Sequence, residues 1–137
     1  MKNKLGDYQG AIDDCNKALK INPNLAEAFY NRGFAKDEIG NTQDAIKDYD
    51  KAIKSNPNYI EAYNNRGISY SQLNKFEFAL KDFKKAIAID EDHVDAYINK
   101  GYLYVKLDNF NRACELFQIA KQKGDKRASE MINTFCK

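Results

Sequence analysis

Tryptophan is absent from this sequence, histidine occurs once and proline twice. With a lone His93, no G-x-S-x-G elbow, no glycine-rich phosphate loop and no H-E-x-x-H, the convergent groups that catalysis requires are missing, and a non-enzymatic protein is expected. Asp90-Glu91-Asp92 beside that histidine reads as a solvated turn rather than a metal site, so neither a metal nor another cofactor is expected. The cysteines are odd in number, and Cys15, Cys114 and Cys136 lie far apart with no C-x-x-C pair. That pattern suggests neither a disulfide framework nor a zinc site; Cys15 and Cys114 read as small buried apolar groups, and a reducing compartment such as the cytoplasm fits best. No targeting segment is visible, and no apolar run approaches the ~20 residues needed to cross a bilayer. An excess of one charge is also missing. The 22 Lys and Arg against 20 Asp and Glu leave +2, too little to recruit nucleic acid or an acidic membrane.

What remains is helical in character. Val and Thr are scarce, whereas Ala, Leu, Ile, Lys, Glu and Asp dominate, which favours helix over strand. The 137 residues suffice for one ordinary domain. Sliding the sequence along itself reveals a period of 34: Gly33, Gly67 and Gly101 share it, as do Ala11, Ala45, Ala79 and Ala113, and Ala18, Ala52, Ala86 and Ala120. Large apolar residues keep the same spacing at Phe29, Tyr63 and Tyr97, at Leu5, Ile39, Leu73 and Leu107, and at Tyr49, Phe83 and Phe117, with Cys15 in the equivalent place of the first copy.

Each copy divides into two amphipathic segments. First helices are expected at about 26–39, 60–73 and 94–107, and second helices at about 42–54, 76–89 and 110–122, joined at Gly40-Asn41, Asn74-Lys75 and Asp108-Asn109. In the second segment Ala45, Ile46, Tyr49, Ala52 and Ile53 form one apolar stripe on a charged cylinder. Small residues let the helices approach closely and the aromatics fill the space beside them. Each pair is therefore half a core that its neighbour completes.

Period and pattern together resemble the tetratricopeptide repeat, whose signature is W-x2-L-G-x2-Y, A-x3-F and P over 34 residues. In the copy from Ala26 to Tyr59, Phe29 stands for the Trp, followed by Gly33, Ala45-x3-Tyr49, Ala52 and Pro57; the copies from Ile60 to His93 and from Val94 to Arg127 repeat it with Tyr63, Gly67, Phe83 and with Tyr97, Gly101, Phe117. Arg32, Arg66 and Lys100 replace the signature Leu, so their stems are expected to pack while their heads reach water. The resemblance implies an all-α, right-handed superhelical solenoid of antiparallel helix pairs: a truncated first repeat (1–25), three full repeats (26–59, 60–93, 94–127) and a C-terminal cap helix (128–137).

The two ends differ. Leu5-Gly6-Asp7-Tyr8 aligns with the turn at Ile39–Thr42, which puts Met1 ten residues into a copy and leaves a second helix at about Tyr8–Lys20 uncovered. Ala11, Ile12, Cys15 and Leu19 would then be exposed, either because the chain is part of a longer array or because they form an edge through which two chains associate. At the other end Met131, Ile132 and Phe135 are expected to pack inward, with Lys126, Arg127, Glu130 and Lys137 outward.

The resemblance also implies that the first helices line the concave side. Their inner places are Glu27, Tyr30, Asn31, Phe34, Asp37 and Glu38; then Glu61, Asn64, Asn65, Ile68, Ser71 and Gln72; then Asp95, Ile98, Asn99, Tyr102, Val105 and Lys106. Glu27, Asp37, Glu38, Glu61 and Asp95 against Lys106 give this face a charge of −4, which suits a neutral or basic protein or peptide with apolar side chains. Asn31, Asn65, Asn99 and Asn133 recur at the repeat period. An amide offers donor and acceptor together, so such a row either grips the backbone of an extended peptide or bonds to neighbouring helices. Family members that hold a chaperone's C-terminal carboxylate use Lys and Arg at these places, where this chain has Glu61, Asp95, Asn65 and Asn99, so that clamp is not expected. The expected function is a protein-interaction module with a concave groove in which Tyr30, Phe34, Ile68, Ile98 and Tyr102 receive apolar side chains.

Overall fold

The computed structural model describes residues 4–136, with side chains from Gly6 onward. The expected start of the truncated repeat at Met1 and the outward placing of Lys137 lie outside the described residues. Among the described residues there are eight helices and no strand: α1 Lys4–Ile21, α2 Ala26–Glu38, α3 Thr42–Ser55, α4 Ile60–Gln72, α5 Phe76–Ile89, α6 Val94–Lys106, α7 Phe110–Gln122 and α8 Arg127–Phe135. Consecutive helices pack on one another, and the first helices of successive pairs also touch directly, α2 with α4 and α4 with α6. The molecule is an all-α solenoid of antiparallel helix pairs.

Two recurring turns set this geometry. Gly40, Asn74 and Asp108 stand one repeat apart and all take a left-handed φ, of 91°, 61° and 58°. There each backbone N–H turns back onto the helix just ended, Gly40 onto the carbonyl of Asp37, Asn74 onto Ser71 and Asp108 onto Val105. The other turn opens each new pair, where the side-chain Oδ1 of Asn22, Asn56 or Asp90 accepts from the N–H two residues on. Asp90 therefore serves a turn, and Asp92 pairs with Lys123 at 3.1 Å. His93 is half-buried at the start of α6.

The core follows the repeat. Tyr49, Phe83 and Phe117 are at most 1% exposed, and the small residues beside them at Ala45, Ala79 and Ala113 are fully buried. Each of these rings lies against a glycine of the preceding helix, so close that a Cβ on Gly33, Gly67 or Gly101 would stand 2.9, 2.6 or 2.5 Å from it. Glycine at these places is a packing requirement.

Four sequence expectations are corrected. First, α1 runs without a break through Leu5-Gly6-Asp7-Tyr8, where a turn was expected; Gly6 lacks the left-handed φ of Gly40, its counterpart. Second, the stripe on α1 is not open: Ile12 is 8% and Cys15 9% exposed, and Ala11 and Leu19 are half-buried. The reason is that α1 packs on α2 as each second helix packs on a first helix. Third, Cys114 and Cys136 form a disulfide that ties α8 to α7, leaving Cys15 as the free cysteine among the described residues. Their 22-residue separation conceals a Cα–Cα distance of 5.7 Å that exists only once α8 folds back. A disulfide is at odds with the reducing compartment that the cysteine spacing suggested. Fourth, the heads of Arg32 and Arg66 do not reach for water. Arg32 donates through Nε and Nη2 to the two oxygens of buried Asp48 at 2.9 and 2.7 Å, and Arg66 does the same to buried Asp82. These bidentate pairs join the first helix of a repeat to its second.

Candidate functional site

The face formed by α2, α4 and α6 carries two clefts that are one structure repeated. The first, of about 140 Å³, is lined by Phe34, Asp37, Glu38, Tyr49, Asn65 and Gln72, with Ile68 at its far side. The second, of about 180 Å³, is lined by Ile68, Ser71, Gln72, Phe83, Asn99 and Lys106, with Tyr102 and Leu103 beyond. Adding 34 to every residue of the first yields a residue of the second. Ile68 and Gln72 belong to both, so the clefts are adjacent and share a wall.

Conformation explains the shared plan. The aromatic base, Tyr49 or Phe83, is the core ring held against Gly33 or Gly67, while Phe34, Ile68 and Tyr102 directly follow Gly33, Gly67 and Gly101. Phe34 and Tyr102 are each 41% exposed, a large apolar surface for a folded domain to leave in water. Tyr102 also meets Phe117 edge-on at 5.8 Å.

The asparagine row is partly engaged. Asn65 donates through Nδ2 to the hydroxyl of Tyr30 at 2.7 Å, and Asn99 donates to Oδ1 of Asn64 at 3.0 Å. Tyr30 and Asn64 are equivalent residues, so each bond links a first helix to the one before it. The third member of that series is Ile98, which has no acceptor, and there the ladder ends; Asn133 is exposed, as is Asn31. Each engaged amide keeps a second N–H and its own carbonyl.

Ile98 does not stand in the groove as expected. It is 2% exposed and belongs to the cluster closed by Met131 of the last helix. Its repeat position faces the next helix pair, which also explains why Asn64 is 7% exposed and why Tyr30 is half-buried between Tyr49 and Tyr59, at centroid distances of 5.9 and 5.1 Å. Burial pushes the hydroxyl of Tyr59 up to about 12 and that of Tyr30 upward as well.

Charge is unevenly spread over the face. Asp95 is matched by Arg127, whose Nη2 also meets Asp125 at 2.6 Å, so it no longer counts toward the acidity of the groove. Glu27, Asp37, Glu38 and Glu61 remain, all on α2 and α4, and Glu27 and Glu61 are exposed. Asp37 differs from them. Its Oδ2 accepts from the hydroxyls of Ser69, at 2.5 Å, and Tyr49, at 3.3 Å. Its Oδ1 is shut off from solvent without a hydrogen-bond partner. Burial raises the Asp37 carboxyl above the usual carboxylate range, and the hydroxyls of Ser69, Thr42 and Tyr49 oppose that rise.

Sequence reasoning placed Asp37, Ser71, Gln72 and Lys106 on this face but did not recognise Tyr49 and Phe83 as the bases of clefts. It also missed the Arg32–Asp48 and Arg66–Asp82 pairs, although both partners recur at the repeat period. Among the described residues, no group of three or more His, Cys, Asp or Glu is arranged to hold a metal ion, and no helix is long and apolar enough to cross a membrane.

Comparisons with known proteins agree with this architecture. Models of the tetratricopeptide repeat match residues 26–59 and 60–93, and two further models of the same repeat match 1–37 and 83–115. No curated protein sequence matches the chain. Among solved structures it is similar to MamA, with 28% identity over 87% of this chain and 70% of that one and a TM-score of 0.79; MamA from Desulfovibrio magneticus RS-1 gives 26% identity, 87% and 67%, and 0.79. The tetratricopeptide domain of Arabidopsis OM64 gives 27% identity over 80% of this chain and 93% of that one, with a TM-score of 0.76.

Proposed function

The chain belongs to the tetratricopeptide repeat family, and we propose that it is a non-enzymatic protein-interaction module whose groove along α2, α4 and α6 binds an extended segment of a partner. The observation that carries this reading is the pair of repeat-equivalent clefts with a common wall at Ile68. A partner in extended conformation presents its side chains at regular intervals, and a receptor repeated along the same line takes them in turn. Phe34, Ile68 and Tyr102 supply the apolar contacts. Asn31, Asn65 and Asn99 address the peptide backbone: for the latter two the bonds to Tyr30 and Asn64 fix the amide, and its remaining N–H and Oδ1 serve the ligand. Pre-orientation of this kind lowers the entropic cost of binding.

To test this, 12-residue peptides would be selected from a random display library on the immobilised chain, and the binders mapped by amide chemical shifts. Shifts concentrated on α2, α4 and α6 around Asn65 and Asn99 are expected. Binders that instead shift the outer sides of α3, α5 and α7 would overturn the assignment of the groove. Replacing Asn31, Asn65 and Asn99 together by Ala is expected to weaken a groove binder tenfold or more, and unchanged affinity would remove the asparagines from the reading.

A further inference from the structure

The two clefts share a plan but not a charge. Where the first has Asp37 and Glu38, the second has Ser71 and Gln72, and the next equivalent positions are Val105 and Lys106. The groove therefore passes from acidic through neutral to basic along the array.

Asp37 is singular in another respect. Of the carboxylates among the described residues, four are withdrawn from solvent: Asp37, Asp48, Asp82 and Asp125. Asp48 is held by Arg32, Asp82 by Arg66 and Asp125 by Arg127. No Lys or Arg among the described residues pairs with Asp37, nor with Glu38 beside it, whose bond is to the hydroxyl of Tyr8 at 3.3 Å. A carboxylate drawn out of water without a cation is unfavourable, and a ligand that brings the cation recovers that free energy on binding. The walls around it, Phe34, Tyr49 and Ile68, suit the aliphatic stem of a long basic side chain, and aromatic faces add attraction for its charge.

We propose that the cleft bounded by Phe34, Asp37, Glu38 and Tyr49 is a receptor for a lysine or arginine side chain of the bound segment, whose next side chain on the same face of the extended chain, an uncharged apolar one, enters the cleft at Ile68, Phe83 and Tyr102. The partner is thus an extended peptide that presents a basic and an apolar side chain in succession on one face. This rests on the groove being the binding surface, and the test keeps the two apart.

The probes are three acetylated and amidated octapeptides of alanine and leucine that differ at one central residue: lysine, its neutral analogue norleucine, or glutamate. Each is titrated to millimolar concentration while backbone amide shifts of the full chain are followed. The lysine peptide is expected to bind at least tenfold more tightly than the norleucine peptide, with the largest shifts at Asp37, Glu38 and Ser69, and the glutamate peptide more weakly than both. The preference should vanish in Asp37→Asn, whose amide oxygen still accepts from Ser69, and fall severalfold in Glu38→Lys, a change at an exposed position that keeps the fold. Equal groove binding of the lysine and norleucine peptides would overturn the receptor and leave the groove standing. A lysine preference that survives in both variants would place the cation elsewhere and also overturn it. Shifts from none of the three peptides on α2, α4 or α6 would overturn the groove reading and this inference with it.

Discussion

Replacing Gly67 by alanine sets two known effects against each other. In a helix interior alanine is favoured over glycine by about 1 kcal/mol, so on propensity alone the variant is more stable. Packing opposes this. The new Cβ would stand 2.6 Å from Cε1 and 3.0 Å from Cδ1 and Cζ of Phe83, about 0.8 Å inside ordinary van der Waals contact. Phe83 cannot retreat freely, because it is 1% exposed and lies with Ala79 and Leu103 in a closed cluster. Overpacking of this kind costs typically about 1–3 kcal/mol, occasionally more, and with a whole ring displaced the upper part of that range applies. The net expectation is a loss of about 1–2 kcal/mol, read as a lower urea midpoint at unchanged m-value. Gly10→Ala is the control, since it lies in α1 with nothing within 4 Å of its added Cβ; it should gain about 0.5–1 kcal/mol. Gly33→Ala and Gly101→Ala should lose stability too, with Gly33 the mildest at 2.9 Å from Tyr49. A Gly67→Ala chain as stabilised as Gly10→Ala would refute the packing argument.

Three further outcomes follow from the same contacts. Asp82→Ala leaves the half-buried Arg66 with only the exposed Asp50 as partner, and should cost about 3 kcal/mol in urea unfolding; a loss below about 1 kcal/mol would show the pair to be energetically idle. Unfolded without reductant, the chain should take up one equivalent of a thiol alkylator, at Cys15, and Cys136→Ser should lose about 3 kcal/mol by the chain-entropy argument while becoming insensitive to reductant; three reactive thiols in the unreduced chain would contradict the disulfide. Burial raises the Asp37 carboxyl, so the folded chain holds that proton more tightly than the unfolded one. Stability from this group is therefore greatest at acid pH and is lost as pH rises from the ordinary carboxylate range through the folded value. Asp37→Asn should gain on the parent between pH 3.5 and 7, and a difference independent of pH would show that Asp37 carries no such penalty.

Helix positions were legible because an array repeats its own evidence. Each second helix shows one apolar stripe, and Gly40, Asn74 and Asp108 mark turns at one phase of the period. Where the period lacks a complete copy, legibility failed: the turn expected at Gly6 is continuous helix, and the exposed stripe expected at Ile12 and Cys15 is covered by α2. On the face of the first helices, Phe34, Asn65, Ile68, Asn99 and Tyr102 were placed by their phase together with the family resemblance, which puts those helices on the concave side. Ile98 was misplaced by one helical step, since adjacent residues on a helix point about 100° apart and one of them faces the next pair.

By itself the sequence determined the number of helix pairs, their order and the residues that must be small, because these follow from local periodicity and side-chain volume. Only the tertiary structure decided which charges meet. The sequence separations of 16 from Arg66 to Asp82, 22 from Cys114 to Cys136 and 32 from Asp95 to Arg127 are spanned by chain reversals whose angles depend on packing across whole helices. Among the described residues, the same packing leaves Asp37 without a cation while Asp48 and Asp82 each have one. A pair forms where two elements bring its members within about 4 Å, and that distance is a property of the stack rather than of either segment.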